Sequence, residues 1–195
     1  MNRRSAEYSR NMILDAARST FAEYGYEGAS MRIIATKAAI SVGGLYLYFK
    51  NKEELCLTMM KEHFDSFARE TKAAMDGFEN PVDAIRAYIR ISVEYATRNK
   101  ELILTNNKER CFAFGMELKR EFFKDQRLFL EDLITKGIES GDFAPRNVQE
   151  AAKIIVSALR GFVFSIVIDP DNLFSDEEFT NLLMNGLLRT KAPSV

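Results

Sequence analysis

Histidine occurs once in this 195-residue chain, cysteine twice and proline four times. Each scarcity closes off a class of chemistry. All-helical di-iron proteins need two Glu-x-x-His pairs, and here the single histidine, His63, has Met60 three residues before it. Cys56 and Cys111 lie too far apart in sequence to form a disulfide framework, and both fall in helical patterns, where cysteine acts as a small hydrophobe. A metal- or redox-responsive set of Cys56, His63 and Cys111 is an alternative, since 56 and 63 are a heptad apart on one helix face. It lacks the close cysteine spacing of zinc patterns. No Ser/His/Asp set, phosphate loop or GxGxxG is present, so the expectation is a protein that is not an enzyme, with no catalytic residue, metal or cofactor. No stretch of 18 consecutive apolar residues suggests a membrane span, and MNRRSAEYSRNMILDAA has no apolar run of signal-peptide length. The expected location is the cytoplasm.

Charge of one sign is also missing. The net charge is −1, so no global field points to a polyanionic or membrane partner. The balance is uneven, however. Residues 1–54 hold 8 Lys and Arg against 6 Asp and Glu, whereas residues 55–195 hold 19 against 22.

What the chain does have is 47% apolar residues, arranged almost everywhere at helical spacing. Ile13, Ala17 and Phe21 recur at steps of four on a first helix, from about Ser9 to Tyr24, closed by Gly25. Ser30 caps a short second helix and Ser41 a third, with a break at Ala39-Ile40. A fourth runs from Lys52 to about Met75. Asn80-Pro81 opens the next, through Arg98. Residues 99–116 suggest two short helices broken near Asn106-Asn107, and a long helix follows from about Glu117 to Ser140, closed by Gly141. Asn147 and Ser175 begin capping-box patterns for helices 148–167 and 176–189. Strand-type alternation is absent over any useful length. The fold class expected is all-α, with about nine helices. Helix 148–167 is apolar nearly all round, so it must be covered on more than one side.

Residues 41–54 read SVGGLYLYFKNKEE. Leu45 and Phe49 form a buried stripe, yet two adjacent glycines sit in the first turn, each costing about 1 kcal/mol in a helix interior. Three short helices with a tight break before the third match a helix-turn-helix, in which the second helix of the motif enters a DNA major groove. The block Ile40-Ser41-Val42-Gly43-Gly44-Leu45-Tyr46-Leu47-Tyr48-Phe49-Lys50-Asn51-Lys52-Glu53-Glu54-Leu55, with Ile13-Leu14-Asp15-Ala16-Ala17, Phe21, Gly25-Tyr26, Ser30 and Ile34-Ala35 before it, resembles the DNA-binding domain of the TetR/AcrR family of bacterial transcriptional regulators. One position departs: Ala39 stands where the family usually has glycine.

The resemblance implies a DNA-binding domain over 1–54 and an effector-binding and dimerisation domain over 55–195. It implies a ligand-responsive regulator, in the family's common mode a repressor, that binds a palindromic operator as a homodimer. Arg32 is then set toward DNA, and arginine takes a phosphate or a guanine edge in bidentate fashion. Tyr46 and Tyr48 offer hydroxyls and Lys52 a charge to phosphates, while Ser30 and Ser41 mark helix N-termini. Val42, Gly43, Gly44 and Leu47 are the reading positions, and none can hydrogen-bond a base through its side chain. Effector-pocket candidates are Phe64, Phe67, Tyr88, Ile91, Tyr95, Phe112, Phe129 and Phe162, which suit a small apolar or amphipathic molecule. Dimer candidates are Leu159, Val163, Phe179, Leu182, Leu183 and Gly186. Control by a protein partner in place of a small molecule is the other alternative.

Overall fold

In the computed structural model the described residues are 3–75, 77–100, 103, 115–169, 171, 173 and 175–188. They form eight helices: α1 (Arg3–Gly28), α2 (Met31–Lys37), α3 (Val42–Tyr46), α4 (Lys52–Met75), α5 (Pro81–Arg98), α6 (Met116–Glu139), α7 (Val148–Ile168) and α8 (Asp176–Leu187). No strand is present among these residues. The short helices expected between 99 and 116 fall almost wholly outside the described residues. No described helix is long and apolar enough to cross a membrane.

Two compact units divide the described chain, with the boundary inside α4 between Asp65 and Ser66. The first holds the described residues up to Asp65, with 103 and 115–119. The second holds Ser66–Lys100 and everything from Arg120 onward.

The first unit is built on the stripe that the spacing of α1 dictates. Ile13, Leu14, Ala17 and Phe21 are buried with Ile34 and Ala35 of α2, Leu45 of α3, Phe49, and Leu55, Cys56 and Met59 of α4. Its polar edge ties α1 to α4. Glu62 accepts from Arg10 at 2.6 Å and from Arg18 at 2.9 Å. Gly25, with φ 68° and ψ 176°, joins two helical pieces within α1. Only glycine adopts that backbone region readily.

The turn between α2 and α3 is a Schellman motif. The Ile40 N–H donates to Ala35 O at 3.0 Å and the Ala39 N–H to Thr36 O at 3.1 Å. This geometry places the C′ residue in the left-handed region. Ala39 has φ 54°, and among the described residues no other non-glycine has positive φ. The departure from the family's glycine is therefore a strained alanine, not a different turn.

In the second unit α5 is buried on most sides and packs against α7 and α8. Phe162 of α7 stacks on Phe179 of α8 with centroids 4.9 Å apart. The loop after α6 is pinned to the end of α8. Ala144 N–H donates to Leu187 O at 3.1 Å, and Arg146 donates to the carbonyls of Gly186 and Leu187. Gly137 leaves room for the Phe143 ring, since a Cβ there would lie 2.1 Å from its nearest ring carbon.

This packing buries two of the dimer candidates. Leu159 and Phe179 are 5% and 8% exposed within the single chain, and Phe179 stacks on Phe162. Val163 and Leu183 are half-buried at the edge, and Leu182 and Gly186 face outward.

Ala39→Gly removes the left-handed strain, worth about 1 kcal/mol. In a domain of this size that raises the midpoint of thermal unfolding by about 2–4 °C, as read by circular dichroism. An unchanged or lower midpoint contradicts the strained turn.

Candidate nucleic-acid interface

The helix-turn-helix is assembled from caps at both ends. Ser30 has extended backbone and its Oγ accepts the Ile33 N–H at 3.2 Å, starting α2. Ser41 does the same for α3 through the Gly44 N–H at 2.9 Å. α3 is shorter than the 41–48 read from sequence and ends after Tyr46. Leu47 is its C-cap, and Tyr48 and Phe49 hydrogen-bond back to Leu45 O. Asn51 then caps α4 through Glu54 N at 2.7 Å, while the Glu54 carboxylate accepts from Lys50 N at 2.7 Å. Two capped helix starts lie only ten residues apart, so little of this segment is left to local choice.

Leu45 and Phe49 are fully buried, which fixes the rotation of α3. Its opposite face carries Val42, Gly43, Tyr46 and Leu47, all exposed, with Leu47 at 85%. The two glycines have different reasons. A Cβ on Gly44 would lie 3.1 Å from the Ser41 Oγ and would crowd the cap. A Cβ on Gly43 meets nothing within 4 Å. No contact inside this chain calls for glycine at 43.

Arg32 lies on the first turn of α2, exposed, and pairs with no carboxylate among the described residues. Lys37, by contrast, is tied to Glu23 at 2.8 Å, which also holds the Glu23 carboxyl below its ordinary pKa. Tyr46 is exposed, whereas Tyr48 is half-buried against the core of the first unit. The caps consume the Ile33 and Gly44 N–H groups, so Ser30 and Ser41 retain their own hydroxyl protons as donors.

Lys52 is where the structure departs most from the sequence reading. Its ammonium donates to Tyr26 O at 2.5 Å and Ala29 O at 2.9 Å, and it lies 4.3 Å from the centroid of the Tyr26 ring. Two of three donors are spent on the carbonyls that end α1, and the charge is shared with an aromatic face. Lys52 thus ties α4 to the α1–α2 junction and keeps one N–H donor. Lys50, which sequence reasoning passed over, is the exposed cation beside α3. Its position just after the buried Phe49 was the available signal.

The effector candidates divide. Phe67, Tyr88, Ile91, Tyr95 and Phe162 are buried in the second unit, and Phe129 is half-buried there. Phe67 meets Tyr95 and Phe122 edge-on at 5.2 and 5.6 Å, and Tyr88 at 6.4 Å. Phe64 belongs to the first unit, beside His63 at 5.8 Å. Phe112 lies outside the described residues. Of the Cys/His set, Cys56 is buried in the first core and Cys111 lies outside the described residues. His63 is buried too, and desolvation, with Arg18 nearby, lowers its pKa to about 4, so it is neutral near pH 7. Among the described residues no three His, Cys, Asp or Glu side chains gather to hold a metal ion.

A capped bracing helix, a Schellman turn and a short helix with one buried and one open face define a helix-turn-helix DNA-binding protein. The comparisons sharpen this. Residues 13–59 match the family model for bacterial regulatory proteins of the tetR family. An HTH-type transcriptional regulator of Staphylococcus aureus strain USA300 is 27% identical over 180 residues, covering 86% of this chain and 96% of that protein. FadR of Bacillus subtilis, solved in complex with stearoyl-CoA, superposes with a TM-score of 0.77 at 25% identity, over 90% of this chain and 97% of that one. The SmeT–triclosan complex superposes with a TM-score of 0.79 at 20% identity, over 94% and 93%. Residues 13–59 place the DNA-binding domain of this chain in the tetR family of bacterial regulatory proteins, whose members bind DNA and are not enzymes.

Gly43→Glu places a negative side chain on the open tip of α3. The expected outcome is an unchanged unfolding midpoint with operator DNA affinity reduced by at least a hundredfold in gel-shift titration. Undiminished affinity would move the DNA-contacting surface elsewhere.

Proposed function

We propose that the protein is a homodimeric repressor that grips a palindromic operator with α3 of each copy and releases it when a small molecule enters the second unit. The observation that carries the DNA reading is the bare Gly43 on the exposed face of a helix whose other face is fixed in the core. A side chain is missing where the protein itself has room for one, which suits close approach of a backbone to DNA. Residues 1–54 serve as the DNA-binding module, and residues 55–195 hold the effector and the partner copy.

Base choice rests on Arg32 and on shape. Val42, Gly43, Gly44 and Leu47 bring only apolar contacts, such as to a thymine methyl. What they leave unread falls to groove width and deformability. Tyr46, Tyr48, Lys50 and the Ser30 and Ser41 hydroxyls supply phosphate contacts that position without specifying.

The partner copy covers the outer face of α7 and α8. Ile154, Ser157, Gly161, Phe164 and Ile168 are exposed and follow one another at steps of three and four, the spacing of a helix–helix seam. Leu182, 75% exposed, and Gly186 are the exposed candidates on α8. Two-fold pairing there gives each copy the same patch to meet, and sets two reading helices on half-sites about 34–36 Å apart.

The stearoyl-CoA and triclosan held by two structural neighbours support small-molecule control. The aromatic interior of the second unit suits an apolar or amphipathic effector. Such a ligand releases DNA only if it binds better to a state whose reading helices misfit the operator. α4 is a continuous helix across the unit boundary. Action on chromosomal DNA sets the work in the cytoplasm.

Two experiments test this reading. Arg32→Ala should flatten base preference at the contacted position by about 1–3 kcal/mol in a binding-site selection. A fully retained preference would remove Arg32 from the readout. Phe164→Asp buries a charge in the proposed seam and should convert the sedimenting species from dimer to monomer. A persistent dimer would place the partner on another face.

A further inference from the structure

A threonine inside a helix usually disposes of its hydroxyl by donating to the carbonyl four residues back. Thr20, Thr36, Thr97, Thr135 and Thr180 all do so here, at 2.7–3.0 Å. Thr71 does not. It is 6% exposed, and its Oγ1 is buried with no hydrogen-bond partner. A buried, unsatisfied hydroxyl is costly, and a native protein keeps few of them.

Its position gives the orphan a meaning. Thr71 is one helical turn beyond Phe67 on the buried stripe of α4. Phe67 is the ring that Tyr88, Tyr95 and Phe122 surround. The other polar groups of this interior satisfy one another. Tyr88 donates to Gln126 Oε1 at 2.6 Å, and Ser92 donates to Tyr88 O at 2.7 Å. Thr71 alone among the described buried side chains has a polar atom left over.

Among the described residues of the second unit, Ser66–Lys100 and Arg120 onward, no charged side chain is buried. The buried polar residues described in the second unit are Thr71, Ser92 and Gln126, and the buried tyrosines are Tyr88 and Tyr95. Burial raises the pKa of Tyr88 far above neutrality, so it supplies no phenolate. Among these described buried side chains an anion would find no cation and a cation no anion, and an unpaired buried charge is strongly disfavoured.

We infer that the part of the effector buried in the second unit is uncharged and carries one hydrogen-bonding group, a hydroxyl, carbonyl or amide, that meets the Thr71 hydroxyl. This rests on the small-molecule reading above and narrows it. Any ionised group of the ligand stays outside this interior. Thr71 is thus a specificity-determining residue for effector chemistry.

The test uses the full-length protein and matched probes. Decyl, 2-naphthyl and biphenyl frames are each offered as the alcohol, the carboxylate, the quaternary ammonium and the methyl-terminated compound, and binding is measured by calorimetry. For at least one frame the alcohol should bind tenfold or more tighter than both ionised forms. Thr71→Val should lose about five- to tenfold in alcohol affinity, the worth of one hydrogen bond. The methyl compound should bind Thr71→Val undiminished, and Thr71→Ser should keep the alcohol. The ligand-free valine variant should melt no lower than wild type, since it removes an orphan. An ionised probe binding as tightly as its alcohol, or full alcohol affinity in Thr71→Val, overturns the inference and leaves small-molecule control standing. If no probe of any charge binds, the small-molecule reading falls, and the inference with it.

Discussion

A helix of five residues cannot hold itself together. α3 has too few internal hydrogen bonds to repay the cost of its first turn, so its shape and aim are borrowed. Leu45 and Phe49 supply the loan by inserting into the core that α1 and α4 build. Ser41 closes one end of the helix and the return of Tyr48 and Phe49 to Leu45 O closes the other. Every property of the exposed face follows from this anchoring. Were α1 not held to α4 by its apolar stripe and by Glu62, the tip would have no defined direction.

The turn before α3 depends on the same economy. Ala39 takes a left-handed backbone because the Schellman hydrogen bonds to Ala35 and Thr36 demand it. Those bonds satisfy the end of α2 and bring Ile40 back against the core. The strain is small beside what the anchoring contributes. The second unit shows a complementary situation. α5 is surrounded by its own chain, while α7 is apolar on two faces and its own chain covers only one of them.

Most helices were legible because their ends carry local chemistry. Ser30, Ser41, Asn80, Asn147 and Ser175 each cap as a short polar side chain before a helical run should. The strained turn was legible too, as a missing glycine in a recognisable pattern. Lys52 was not, because its partners are the main-chain carbonyls of Tyr26 and Ala29, and no side-chain pattern encodes a carbonyl. The burial of Leu159 within its own chain was hidden for another reason. A helix apolar all round gives no periodic signal to separate the face against α5 from the face left open. An orphan hydroxyl such as that of Thr71 is invisible in principle, since a threonine on a buried stripe reads the same whether or not it finds a carbonyl.

The core of the first unit reaches well into α4. Leu55, Cys56 and Met59 fill it, and Glu62 receives two arginines of α1. Lys52 and Tyr26 act as a matched pair across the junction. A chimaera that transplants this head onto another regulator's body must therefore cross over inside α4 beyond Glu62. A splice at Glu54 would give the head a foreign helix face in place of three of its own core residues. A donor lacking an aromatic residue at 26 would leave Lys52 without one of its contacts.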